Sequence, residues 1–79
     1  MSIIGMSQKA LLGFYMELIG INTYMVAHNL DCGIVTTGKY ISGELELPSK
    51  IRNKCIRHIY ANPNKALKKE LLKKYNNYS

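Results

Sequence analysis

Seventy-nine residues are about half the length of a typical domain, so the chain can build one small core and neither a second module nor a large substrate cleft. A hydrophobic fraction of 47%, with six Gly and two Pro, excludes disordered, collagen-like and low-complexity structure. The net charge of +6 is unevenly placed: two basic residues face four acidic ones up to Pro48, net −2, whereas nine basic residues face Glu70 alone from Ser49 onward, net +8. Such a bias implies an anionic partner or, more simply, a solvated lysine-rich face.

In chain order, the amino-terminal Met1–Met6 carries no basic residue ahead of an apolar run and no small-residue cleavage site. The longest apolar stretch, 10–21, is interrupted by Glu17 and falls short of the roughly 18–20 residues that span a bilayer. A cytoplasmic chain with no membrane partner is the expectation. Ser7 is a suitable helix cap, and Leu11, Phe14, Tyr15 and Leu18, with Leu12 and Ile19, recur at three- and four-residue spacing. The spacing predicts a first helix with one buried stripe, closed by Gly20.

Asn22 caps a predicted second helix of about two turns, with Met25, Val26 and Leu30 facing inward and Ala27 small enough for another helix to approach. Asp31 and Gly33 favour a tight turn after it. The next segment, Ile34–Ser42, is β-branched enough for a strand. A single strand with no evident partner would leave its ladder unpaired, so a helix ended by Gly43 is the expectation. After a loop at 44–47 and Pro48, Ser49 is the predicted cap of a fourth helix reaching about Tyr60, with Ile51, Cys55, Ile56 and Ile59 on its apolar side. Asn62 followed by Pro63 predicts the cap and first residue of a fifth helix, with Leu67, Leu71, Leu72 and Tyr75 on one stripe. The expected domain is single, 1–79, with its core at about 7–75 and a frayed tail at 76–79.

Chemistry-bearing clusters are scarce. His28 and His58 lie thirty residues apart, and Cys32 four residues after His28 makes only one pair, so no metal site is expected. Cys32 and Cys55 lack the C-x-x-C spacing and the number expected of a disulfide scaffold, and are read as buried free thiols in a reducing compartment. Neither has a legible His and acid partner, Glu44 and Glu46 read as solvated loop residues, and there is no Gly-rich phosphate loop. No catalytic residue and no cofactor is expected.

The stretch Ile19, Gly20, Ile21, Asn22, Val26, Ala27 and Leu30, then Gly43 sixteen residues after Ala27, Tyr40 three before that Gly, and Pro48 beyond, resembles the lambda-repressor and Cro-like helix-turn-helix family. The resemblance covers about 14–67. Asp31 stands where the family has a turn Gly, Gly33 where it has a Ser or Thr cap, Thr37 at the inward apolar position, and Gly38 inside the reading helix. A register slip of one residue would put Val35 or Ile41 in the core instead.

The resemblance implies an all-α, five-helix lambda-repressor-like domain whose second and third helices form a helix-turn-helix on double-stranded DNA. Carried over position by position, the base-facing residues fall on Ile34, Val35 and Lys39, with Thr36 beside them. Lys39 would donate to guanine, and Ile34 or Val35 would pack on thymine methyls. Thr23 falls at the phosphate contact opening the second helix, and Ser49, Lys50 and Arg52 would follow the same strand. A homodimeric regulator, in all expectation a repressor from a phage or other mobile element, is what the resemblance implies. Two other readings stay open: Ile34 and Val35 packing inside the domain, and the same fold docking its apolar reading helix on a protein as an antirepressor or adaptor. The fifth helix would serve the core, a second subunit through Leu71, Leu72 or Tyr75, or an anionic membrane.

Overall fold

A computed structural model describes residues 3–76. The backbone runs through a short 3-10 turn at Ile3–Gly5 and five α-helices: α1 (Gln8–Leu18), α2 (Thr23–Leu30), α3 (Ile34–Ser42), α4 (Ser49–Ala61) and α5 (Lys65–Asn76). The fold is all-helical and compact, about 31 × 22 × 19 Å, with no strand among the described residues. The ambiguous segment at 34–42 is thus helical, as pairing arguments required.

α1 is the hub. Ser7 accepts a hydrogen bond from the Ala10 amide at 3.2 Å, which starts the helix where the sequence placed it. Ala10, Leu11, Leu12, Phe14 and Tyr15 are all buried, and α3, α4 and α5 pack on this helix. The core begins earlier than residue 7, because Ile3 and Met6 are buried too. Arg52 on α4 explains this: its Nη2 donates to the backbone carbonyl of Ile4 at 2.8 Å and to that of Met6, fastening the amino-terminal turn.

Gly20 ends α1 without a left-handed backbone; its role is proximity. A Cβ there would sit 3.2 Å from Val26 Cγ2 and 3.3 Å from the Val26 amide, so α2 can leave close to the end of α1. The chain turns by 100° between the two helices. Their combined length passes for an apolar span only if straightened, and among the described residues no single helix is long and apolar enough to cross a membrane.

Two helix starts differ from expectation. Pro48 caps α4: its carbonyl accepts from the Arg52 amide at 2.9 Å, and Ser49 is already the first helical residue. Proline's fixed φ, −62° here, suits the extended cap, and its missing N–H costs nothing at a position whose amide donates to no helical carbonyl. Asn62 closes α4 instead of opening α5, since the residue before a proline is pushed out of helical backbone. Its Oδ1 accepts from the Asn64 amide at 2.9 Å, and Asn64 Oδ1 in turn accepts from the Leu67 amide at 3.1 Å, so Asn64 caps α5. At the other end α5 still includes Asn76, so the expected fraying does not begin there; the rest of the predicted tail lies outside the described residues.

α5 lies along α1. Leu71 is 4% exposed, within the core, which removes it from the surface a second subunit would cover. Tyr75 packs on Gly13, where a Cβ would come within 2.8 Å of its ring, and its hydroxyl donates to Glu17 beside Lys74, whose Nζ is 2.9 Å from both Glu17 oxygens. These partners hold the Glu17 carboxyl below its ordinary pKa. The pair is exposed, and such pairs contribute little stability.

Candidate nucleic-acid interface

α2 and α3 are joined by Asp31, Cys32 and Gly33. Asn22 opens α2 as predicted, its Oδ1 accepting from the Met25 amide at 2.9 Å. Asp31 closes it in the left-handed region, φ 55° and ψ 46°, where its amide bonds back into the last turn of α2. Aspartate is one of the few residues besides glycine that visits this conformation, which is how the chain makes the turn without a glycine at this position. Gly33 then precedes α3 in extended backbone and offers no side-chain cap.

Thr37 fixes which way α3 faces. It is 1% exposed, and its hydroxyl donates to the Gly33 carbonyl at 2.8 Å, so a polar residue occupies the inward position with its donor satisfied. The one-residue slip does not occur. At 3.6 residues per turn, burying Thr37 turns Val35, Lys39 and Ser42 outward as one stripe. Val35 is 74% exposed, Ile34 is 48% exposed at its edge, Lys39 is exposed and Thr36 is half-buried. Four of the eight predicted residues therefore share two turns of one helix. Packing of Ile34 and Val35 inside the domain is excluded by their exposure.

The far end of α3 is clamped by a residue that the sequence reading overlooked. Gln8, in the first turn of α1, donates from Nε2 to the carbonyls of Tyr40 at 2.9 Å and Leu45 at 2.8 Å. Its Oε1 accepts from the Leu47 amide at 2.7 Å. One side chain thus ties α3 and the following loop to the hub. Gly43 makes the bend between them at φ +85°, ending α3 where it was expected to end.

The other predicted residues lie on different elements. Thr23 is half-buried in the first turn of α2, which packs against α3. Ser49 and Lys50 are exposed at the start of α4, whose main packing is on α1 and α2. Arg52 is half-buried and bonded to the amino-terminal turn described above. On α2, Met25 points outward at 40% exposure, contrary to expectation, beside Tyr24 at 69%. The physical reason is angular: Val26, Ala27 and Leu30 define the buried face, and Met25 stands about 150° from its centre. That arithmetic was available from the sequence and would have found both residues. Ile21 is exposed as well, so the α2–α3 surface is largely apolar with a single cation on α3.

A small polar cluster joins α1 and α4. The buried Tyr15 hydroxyl and His58 Nδ1 share a hydrogen bond at 2.7 Å. Burial, with a smaller contribution from Cys55, pushes the Tyr15 phenol up to about 12, although a hydrogen bond from Asn29 opposes this. Burial also pushes the Cys55 thiol up to about 12, with Cys32 adding to it, so the thiol stays protonated and unreactive near neutral pH. Cys55 is buried as expected, whereas Cys32 in the turn is only half-buried, its Sγ 3.4 Å from the Leu30 carbonyl; both are free. His58 is pushed below its usual pKa by burial first, then by Lys54 and Arg57. Among the described residues no three His, Cys, Asp or Glu side chains gather in a way that could hold a metal ion.

Compared with protein-family models, curated proteins and solved structures, the chain matches none of them.

Proposed function

We propose that this chain is a sequence-specific DNA-binding regulator of the lambda-repressor and Cro-like type, with α2, the three-residue turn and α3 as its helix-turn-helix. The observation that carries this reading is the presentation of α3: Thr37 faces inward while Val35 and Lys39 stand outward on a rod tied at its far end to α1 by Gln8. Such a rod fits a major groove, with Lys39 donating to guanine O6 and N7 and Ile34 and Val35 lying against thymine methyls. Thr23, Thr36, Ser49 and Lys50 are then the candidates for the flanking backbone and groove contacts. Reading an inverted repeat calls for a homodimer, and a cytoplasmic repressor of a phage or other mobile-element promoter is the role that goes with it. The role involves no cofactor and no reaction.

Selection of bound fragments from random duplex DNA, followed by mobility shift of the selected site, tests the proposal. Retarded DNA that Lys39→Ala releases is the expected result; no enrichment at low salt sinks it. A second reading draws on the apolar character of the surface. Ile21, Tyr24, Met25, Ile34 and Val35 are all exposed, and contiguous apolar patches mark protein contacts. On that reading the same face docks on a protein as an antirepressor or adaptor. A complex weakened by Val35→Asp, in a chain that selects no DNA, would favour it.

A further inference from the structure

A second surface lies between the end of α4 and the start of α5, and no residue of α2 or α3 contributes to it. It is a trough of about 270 Å³ with the buried Phe14 and Ile59 at its base and Leu72 in its wall. Lys65, Lys68 and Lys69 stand around it, and Tyr60, 60% exposed, stands at its edge. Lys68 Nζ reaches the Tyr60 carbonyl at 3.3 Å and so caps the end of α4. Lys65 and Lys69 have no carboxylate partner among the described residues, and Glu70, the acidic residue of α5, is not part of the lining. An apolar slot flanked by two ammonium groups without a carboxylate partner, those of Lys65 and Lys69, complements a ligand with an apolar body and negative charge around it.

The trough is only partly enclosed. A fatty acid or similar small molecule binds well only where most of its surface is enclosed, and this site would leave one side in water. A protein segment has no such need, because it seats one or two side chains and lays the rest of its surface over the rim. Phosphate-led nucleic-acid binding needs cations but no apolar base. We infer that the α4–α5 trough docks an acidic, amphipathic segment of a partner protein, whose aromatic or long aliphatic side chain seats over Leu72 and Tyr60 while its carboxylates meet Lys65 and Lys69.

The test uses a labelled synthetic peptide of Asp and Glu residues carrying one Phe and one Leu a helical turn apart, followed by fluorescence anisotropy and amide chemical shifts on the whole chain. Saturable binding is expected, with shifts at Tyr60, Lys69 and Leu72. Replacing the peptide's Phe and Leu by Ser should weaken binding by at least about tenfold. Lys65→Glu or Lys69→Glu should weaken it comparably, whereas Lys73→Glu, an equal charge change outside the lining, should leave it intact. All three positions are exposed, so the variants should keep the parent helix content by circular dichroism. Equal losses from Lys69→Glu and Lys73→Glu, indifference to the peptide's apolar residues, or shifts centred on Val35 and Lys39 would overturn the inference. So would preferential binding of laurate or duplex DNA at these same amides. None of these outcomes depends on whether α3 reads DNA.

Discussion

Gln8 shows how much can hang on one side chain. Its three hydrogen bonds reach residues 32 to 39 positions away, tying the Tyr40 and Leu45 carbonyls to α1 and giving the amide of the buried Leu47 its acceptor. Leaving a buried polar group without a partner costs about 1–3 kcal/mol. Gln8→Ala is therefore expected to lower the unfolding free energy by about that amount, and Gln8→Glu, which keeps one acceptor and loses both donors, by a similar amount; urea denaturation followed by circular dichroism measures both. His58 makes a different prediction. Its pKa in the folded chain lies below the ordinary 6.5 because the charged form is poorly solvated and faces Lys54 and Arg57. The unfolded chain therefore binds the proton more readily, so stability is fully present above that ordinary value and declines as pH falls toward the folded one. The urea midpoint should drop between pH 7.5 and 5.5, and most of that drop should vanish in His58→Gln; an unchanged midpoint in the parent chain would refute the assignment.

At the scale of elements, α3 carries most of the functional argument, and its glycine separates stability from binding. Gly38 has ordinary helical backbone and open space where a Cβ would go, so nothing in the fold requires it. Gly38→Ala should stabilise the chain by about 1 kcal/mol. If DNA affinity falls at the same time, the bare backbone serves the approach of the duplex; if affinity holds, it does not. Much of this element was legible beforehand. The turn at Asp31, the end at Gly43 and the caps at Ser7 and Asn22 follow from short-range backbone and capping chemistry, which a sequence carries locally, whereas the inward position of Thr37 was implied only by the family resemblance. What was not legible depends on distant partners: the Gln8 clamp and the tie from Arg52 to the amino-terminal turn each join residues more than 30 positions apart. The α5 start was misplaced for a local reason, since Asn62 and Asn64 are equally good caps and only the closure of α4 assigns Asn62 to it.

For the whole molecule the decisive quantity is how its positive half meets a polyanion. On the DNA-binding proposal, α2 and α3 sit in the segment of net −2, so affinity for a duplex would have to come largely from cations after Ser49. If about four phosphates are neutralised per subunit, log affinity should fall against log salt with a slope of about −3.6. Lys50 and Arg52 were expected to act alike, and the structure separates them. Lys50 is exposed, whereas the Arg52 guanidinium is bonded to the Ile4 and Met6 carbonyls. Lys50→Ala should therefore reduce the slope by about 0.9, the share of one phosphate, and leave the urea midpoint unchanged. Arg52→Ala should do the reverse, lowering stability by about 1–3 kcal/mol as the amino-terminal turn loses its anchor, with little change in slope. Identical slope losses in both variants, each as stable as the parent, would show that Arg52 leaves the turn to meet a phosphate, and the amino-terminal turn would then be the part of the fold that DNA binding releases.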